Sequence, residues 1–135
     1  MKGPSTTGWL SLDDDSLTAC VGCGLCLPHC PTFRLSGDER MSPRGRIVLM
    51  RAAQTGGVDC DDEWYDAMET CMQCRGCEAA CPAGVPFGEL ISGTRSAMSA
   101  VRRAPVHLRV GLWALTQHRL LLFGSRILAV LQRLR

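Results

Sequence analysis

Residues 20–31 read CVGCGLCLPHCP, and residues 71–82 repeat the phrase as CMQCRGCEAACP. Both copies place four cysteines in the pattern C-x2-C-x2-C-x3-C and follow the last one with a proline. Eight of the nine cysteines in the 135-residue chain belong to these two copies. The rest of the sequence shows no internal duplication, so the repeat indicates a duplicated site rather than a solenoid.

The spacing is typical of proteins that hold two [4Fe–4S] clusters, in which the last cysteine of each run binds the other cluster. Three cysteines two residues apart let successive thiolates and backbone N–H groups curl around one corner of a cubane. We therefore predict two ligand sets, each with three cysteines of one copy and the last cysteine of the other. The first set is Cys20, Cys23, Cys26 and Cys81, and the second is Cys71, Cys74, Cys77 and Cys30. Such crossed ligation would also contribute to folding, because each cluster would join distant segments of the chain.

Two other uses of the cysteines compete with this prediction. Structural zinc also binds four cysteines, but it favours two C-x2–4-C pairs separated by a long gap. Disulfides are disfavoured because residues 1–16, MKGPSTTGWLSLDDDS, lack the apolar run of a secretory signal peptide. We expect a reducing, cytoplasmic location, and a zinc-binding interaction module is the alternative from a different class of protein.

Several residues outside the ligand sets carry secondary expectations. Cys60 lies in an acidic loop and is expected to be a free thiol whose pKa is raised by the acids around it. His29 is expected either to be exposed or to lie next to the ligand cysteines without binding iron itself. Arg75 is expected either to offset the negative charge of the cluster or to be exposed. Three glycines are expected to provide backbone conformations close to the clusters: Gly22, Gly24 and Gly76.

The chain is predicted to be all-α, with no alternating run long enough for a strand. Residues 13–20 place aspartates before a short helix that leads to the first cysteine. Residues 42–57 begin with Ser-Pro, a good N-cap and first helical position, and end with Gly-Gly. Two further helices are predicted in residues 61–71, with acids in the first turn, and in residues 87–103.

We predict three parts along the chain: an N-terminal arm at 1–12, a two-cluster domain at 13–104 and an amphipathic helical tail at 105–135. Residues 1–90 carry a net charge of −6, whereas residues 91–135 carry eight arginines and no acid. In the tail, the longest stretch without a charge is far shorter than the ~20 residues of a membrane span. Three arginines recur every seven residues: Arg119, Arg126 and Arg133. The tail is therefore either a helix packed against protein with its arginines in water, or an interfacial helix on an anionic membrane.

Residues 20–51 and 71–91, which include the phrase SPRGRI and both cysteine runs, resemble a known family. They are similar to the α-helical ferredoxin domain found in iron–sulfur subunits of succinate dehydrogenase and of heterodisulfide reductase, and in the small subunit of anaerobic glycerol-3-phosphate dehydrogenase. The resemblance is most specific to the iron–sulfur subunit of glycolate oxidase and covers about residues 13–100. It implies an all-α ferredoxin fold in which two cluster loops are followed by a helical tail.

The resemblance implies a non-catalytic electron-transfer subunit. Its two [4Fe–4S] clusters would relay electrons from a flavin-containing dehydrogenase subunit, which oxidises glycolate or another 2-hydroxy acid, towards a quinone-side membrane acceptor. A heterodisulfide reductase-like or glycerol-3-phosphate dehydrogenase complex is the alternative setting. The sequence itself contains no glycine-rich dinucleotide turn, phosphate loop or Ser/His/Asp arrangement, so we predict no catalytic residue and assign the chemistry to a partner.

The family also suggests further partners. Its subunits normally continue into two Cys-Cys-Gly domains, whereas this sequence contains no Cys-Cys pair. We therefore expect either a short version of such a subunit or a piece of one, with a Cys-Cys-Gly domain protein as an additional partner. If the tail is the interfacial helix of these two alternatives, we expect it to contact the inner face of the membrane peripherally. We expect no nucleic-acid partner.

Overall fold

The computed structural model describes residues 9–102 and 105–133. Within these ranges the chain forms α-helices and two 3-10 turns, Leu27–His29 and Glu39–Met41, and contains no strand, which confirms the predicted all-α fold. The helices are α1 (Asp14–Thr18), α2 (Pro31–Ser36), α3 (Pro43–Gln54), α4 (Asp62–Glu69), α5 (Gly76–Ala79), α6 (Phe87–Val101), α7 (Val106–Thr116) and α8 (His118–Arg133).

Helices α1, α3 and α4 begin at side-chain caps of the kind that the sequence predicts. The Asp13 carboxylate accepts a hydrogen bond from the Ser16 N–H at 2.8 Å. The Ser42 hydroxyl accepts from the Gly45 N–H, and the Asp61 carboxylate from the Trp64 N–H, both at 2.9 Å. Each cap satisfies a backbone N–H that has no partner within its own helix, and so fixes where the helix starts.

The core lies where α3, α4 and α6 pack against one another. Trp64 of α4 lies at its centre and donates from its indole N–H to the Leu49 carbonyl at 3.2 Å. Its ring lies 5.8 Å from that of Trp9 and 5.4 Å from that of Tyr65, measured between centroids. Other buried apolar side chains of these helices complete the core: Ile47, Met50, Met68, Leu90, Ile91 and Met98.

Gly45 allows the start of α3 to approach the second 3-10 turn. A Cβ atom at this position would lie 1.8 Å from the Glu39 carbonyl oxygen, which is backbone and cannot move aside cheaply. The glycine between the two arginines of the PRGR phrase is therefore required by a close backbone contact. This contact fixes the positions from which Arg44 and Arg46 extend.

The chain divides into two compact units, Met1–Val101 and Arg102–Arg135. In the first unit, Leu10 is buried and Trp9 packs against the core. The predicted boundaries at residues 12 and 104 stay a prediction.

The second unit contains two helices, whereas the sequence predicts one continuous helical tail. Helices α7 and α8 meet at Gln117, whose backbone is extended. The large apolar side chains described in these helices are between 45% and 72% exposed. None of the helices in the part of the chain that the structure describes is long and apolar enough to span a membrane.

Candidate iron–sulfur cluster sites

The eight cysteines of the repeat line two cavities. We call them the Cys20 cavity and the Cys71 cavity. Their empty volumes, including the space at their openings to solvent, are about 310 and 370 Å³. The Cys20 cavity is lined by Cys20, Cys23, Cys26 and Cys81, and the Cys71 cavity by Cys30, Cys71, Cys74 and Cys77. Each cavity thus brings together three cysteines of one copy and the last cysteine of the other. This grouping fits the donor set of a [4Fe–4S] cluster, whereas the ligand assignment itself stays a prediction.

The two cavities differ in how far they are shielded from water. In the Cys71 cavity, Cys30 and Cys77 are only 7% and 8% exposed. All four cysteines of the Cys20 cavity are at least partly exposed. The second cysteine of each run, Cys23 in the first copy and Cys74 in the second, is exposed at the surface. Each cavity therefore has one cysteine at the protein surface.

The two cysteine loops have positive φ values at the same two positions of the repeat. Gly22 and Gly24 have φ values of 70° and 83°, and the equivalent residues of the second loop, Gln73 and Arg75, have values of 51° and 56°. The first loop thus uses glycine for the left-handed positions, as expected, whereas the second holds two ordinary residues there. Gly76 differs from the expectation, because it opens α5 and its small size serves a close contact instead. A Cβ atom there would lie 3.3 Å from the His29 carbonyl oxygen.

Two arginines from the first turn of α3 reach the cavities, one each. Arg44 lines the Cys20 cavity and donates to the Gly22 carbonyl at 3.0 Å, while also pairing with Glu39 at 2.8 Å. Arg46 lines the Cys71 cavity, and one of its terminal nitrogens lies 3.9 Å from the Cys30 sulfur. Neither arginine has a role predicted from the sequence. The PRGR phrase was a sequence signal that could have revealed these roles. The positive end of the helix dipole disfavours arginine in the first turn, so two arginines there indicate a function other than helix stability.

Arg95 is a third arginine without a predicted role. Its guanidinium donates to the carbonyl oxygens of Met68 and Cys71, at 2.9 and 2.6 Å. It also donates to the Glu69 carbonyl at 2.6 Å. These bonds satisfy carbonyl groups at the end of α4 and tie that end to the start of the second cluster loop.

Two buried thiols of the Cys71 cavity, those of Cys30 and Cys77, have pKa shifts in opposite directions. Burial raises the pKa of Cys30, but hydrogen bonds from Thr32 and the Phe33 N–H, together with the nearby Arg46 charge, outweigh it and lower the pKa overall. Burial raises the pKa of Cys77 to about 12, and the neighbouring Cys71 adds to the effect. The cavity therefore contains one thiol that loses its proton more easily than an ordinary cysteine and one that keeps it to higher pH.

The remaining expectations have mixed outcomes. His29 is exposed. The Arg75 side chain is 63% exposed, which agrees with the second of its alternatives, and it also lines the Cys71 cavity. An effect of Arg75 on cluster charge stays a prediction. Cys60 lies in neither cavity but in the hydrophobic core, only 3% exposed. Its pKa is raised, but burial is the largest cause, and Asp59 and Asp61 add smaller contributions. Among the described residues, no three His, Cys, Asp or Glu side chains are placed to hold a single metal ion.

Residues 16–85 match the family model of the 4Fe-4S dicluster domain. The match covers half of the chain, so the protein belongs to this family of iron–sulfur electron-transfer proteins, and its cofactors are two [4Fe–4S] clusters. This assignment decides against the zinc-binding module.

Three curated relatives show which kinds of iron–sulfur subunit this chain is similar to. The "Probable glycolate oxidase iron-sulfur subunit" of Bacillus subtilis is 44% identical over 85 residues, which are 62% of this chain and 19% of that protein. The glycolate oxidase iron-sulfur subunit of Escherichia coli is 36% identical over 97 residues, 72% of this chain and 24% of that protein. An iron-sulfur subunit of the CoB–CoM heterodisulfide reductase of Methanocaldococcus jannaschii is 34% identical over 94 residues, 66% of this chain and 45% of that protein.

These relatives confirm the resemblance that the sequence phrases indicate. The chain spans about a fifth to a quarter of the length of the two glycolate oxidase subunits. No solved structure matches the chain.

Proposed function

We propose that the chain is the two-cluster electron relay of a dehydrogenase complex. It would receive electrons from a flavin-containing subunit that oxidises glycolate or another 2-hydroxy acid and pass them towards a quinone-side membrane acceptor. The observation that carries the proposal is the interleaving of the two cysteine runs around two neighbouring cavities. The names of the two bacterial relatives support the substrate class.

The proposal assigns the two cavities as the cluster sites. Cys20, Cys23, Cys26 and Cys81 would hold one cluster, and Cys30, Cys71, Cys74 and Cys77 the other. When bound, such clusters supply reversible one-electron transfer at potentials that the protein tunes. The chain itself positions the thiolates and shields the Cys71 cavity from water. The exposed loops around Cys23 and Cys74 are the surfaces at which a partner would exchange electrons.

Recovery of the partner tests this proposal directly. The tagged full chain should be purified without oxygen from its own host, and the flavoprotein that accompanies it identified. Glycolate or lactate added to this complex should bleach the visible absorbance of the clusters, and the preparation should contain about eight irons per chain. If iron-loaded chain is recovered with a flavoprotein but neither acid bleaches the clusters, the proposed substrate class is wrong.

A heterodisulfide reductase-like complex is the second candidate. It is favoured by the 34% identity to the archaeal iron-sulfur subunit, of which the matched residues form 45%. In that case the reduced clusters should be reoxidised by a heterodisulfide. The recovered partner should then be a disulfide reductase rather than a dehydrogenase of 2-hydroxy acids.

We propose further that the second unit binds an anionic membrane surface, which would place the relay near its acceptor. The arginines at 119, 126 and 133 share one side of α8, because a spacing of seven residues is two helical turns. Phe123, Ile127 and Leu131 follow one another at four-residue intervals on another side and are 65%, 47% and 58% exposed. Apolar side chains beside long cationic ones, with no acid anywhere in residues 91–135, suit an anionic bilayer interface.

Vesicle binding tests the tail. The full chain should sediment with vesicles containing phosphatidylglycerol and only weakly with pure phosphatidylcholine. Replacing Arg119, Arg126 and Arg133 together with glutamine should abolish the difference, whereas Arg34→Gln, an exposed arginine on α2, should leave it unchanged. Equal binding to both vesicles, or none, would contradict the proposal. Loss of flavoprotein recovery in the triple variant would then show that the tail contacts protein.

A further inference from the structure

Arg46 is a buried cation without a carboxylate partner among the described residues. Its side chain is 1% exposed, and its Nε donates to the Ala67 carbonyl at 2.6 Å. One terminal nitrogen donates to the Thr32 hydroxyl at 3.1 Å and to the Met41 carbonyl. All of these acceptors are neutral, and Arg46 takes part in none of the ion pairs found in the described ranges. A buried charge that lacks a counter-charge is strongly destabilising, so this arrangement needs an anion.

The Cys71 cavity is where that anion would lie. Arg46 lines this cavity, and the nearest sulfur, that of Cys30, is 3.9 Å from its terminal nitrogen. No Asp or Glu is among the residues that line the cavity. A [4Fe–4S] cluster with four thiolate ligands is net negative and becomes more so when it is reduced. The group proposed for this cavity thus has the charge that Arg46 lacks.

The other arginine of the same helical turn is in the opposite situation. Arg44 lines the Cys20 cavity, but its side chain is 33% exposed and its guanidinium makes two hydrogen bonds to Glu39, at 2.8 and 3.0 Å. Its charge is therefore largely neutralised before it reaches the cavity. α3 thus supplies a neutralised arginine to one cavity and an uncompensated one to the other.

We infer that Arg46 is the counter-charge of the cluster held by Cys30, Cys71, Cys74 and Cys77 and raises the reduction potential of that cluster selectively. The inference rests on the proposed ligand assignment. A fixed positive charge stabilises the reduced, more negative state, and the interaction is strongest in a water-poor site. Burial of Cys30 and Cys77 alone would lower the potential of this cluster, so Arg46 opposes the effect of its own surroundings.

Potentiometric titration of the iron-loaded full chain, followed by EPR, tests the inference. Arg46→Gln should shift the midpoint of one cluster to a lower value and leave the other unchanged. The shifted signal should be the one that Cys74→Ser alters. Arg46→Lys keeps the charge but not the forked hydrogen bonds, and should retain most of the wild-type midpoint. Arg51→Gln, which removes an exposed arginine five residues later in α3, is the matched control and should shift neither.

Each outcome decides the matter. If Arg46→Gln loads iron and both midpoints stay in place, or both move equally, the inference is wrong. If Arg46→Gln cannot load the cluster but Arg46→Lys can, the charge is what the site requires, which supports it. If Arg46→Lys also fails to load, Arg46 acts through its hydrogen bonds and the counter-charge inference is overturned. A wild-type chain that shows no [4Fe–4S] signal would instead contradict the proposed function.

Discussion

The two cysteine loops place different residues at their two positions of positive φ. Glycine occupies both left-handed positions in the loop of Cys20–Cys26, whereas Gln73 and Arg75 occupy them in the other. For a residue with a Cβ atom this conformation costs about 1–2 kcal/mol. The second loop is held on both sides of these positions, by the hydrogen bond from Arg95 to the Cys71 carbonyl and by α5 after Arg75.

Replacing Gly24 should show how far the first loop depends on glycine. Gly24→Val would place a β-branched residue at a φ of 83°, with its Cβ atom 3.1 Å from the Arg44 guanidinium. We expect a loss of roughly 2–3 kcal/mol of stability and less iron in the cluster of the Cys20 cavity. Thermal unfolding and iron analysis of the anaerobic protein measure both.

Gly124→Ala is the matched control, because a Cβ atom at this position in α8 meets nothing within 4 Å. It should keep full iron content and a slightly higher helix stability. Normal iron content and stability in Gly24→Val would show that the loop does not need its left-handed glycine.

At the scale of elements, the first turn of α3 organises both cavities. Ser42 caps the helix, Gly45 brings it against the turn at residues 39–41, and the arginines on either side of Gly45 each reach one cavity. A displacement of this turn would therefore change both cluster sites together. Both sites therefore depend on the same short helical turn for their position.

Gly45→Ala tests this dependence. The added Cβ atom would lie 1.8 Å from the Glu39 carbonyl, so the start of α3 must move. We expect a loss of roughly 2–3 kcal/mol, as for other overpacked sites, and altered EPR spectra of both clusters. Gly57→Ala, just beyond the other end of α3, meets neighbours only at an ordinary 3.6 Å and should change little. If the Gly45 variant altered one cluster alone, α3 would not be a shared support.

At the scale of the whole molecule, the chain has two units, and all eight cysteines of the proposed cluster sites lie in the first. Removing residues 106–135 should therefore leave iron content and both EPR signals unchanged. Binding to phosphatidylglycerol vesicles should be lost. Iron analysis and vesicle sedimentation of the shortened chain measure the two effects. Loss of iron on this truncation would show that the tail supports the cluster domain.

Much of the fold was predictable because its signals are local. The caps at Asp13, Ser42 and Asp61 and the cysteine spacings are read from neighbouring residues. The burial of Cys60 and the packing of Leu10 depend on contacts between segments distant in sequence, which a local pattern does not carry. The break at Gln117 interrupts an apolar run that has no proline or cap to mark it.

The roles of Arg44 and Arg46 were missed for a different reason. Both positions look alike in the sequence, and the difference between them arises only in three dimensions. Glu39 lies within reach of one guanidinium, and the core closes over the other. Composition and spacing cannot distinguish a neutralised arginine from an uncompensated one.

The crossing of ligands between the two repeat copies is the central claim, and Cys30→Ser tests it most directly. Cys30 belongs to the first copy but lines the cavity of the second. EPR spectra of the reduced, anaerobically purified variant should show that the cluster affected is the one altered by Cys74→Ser. The signal altered by Cys23→Ser should remain as in the wild type. If Cys30→Ser instead changes only the signal that Cys23→Ser changes, each copy closes its own site and the account is wrong.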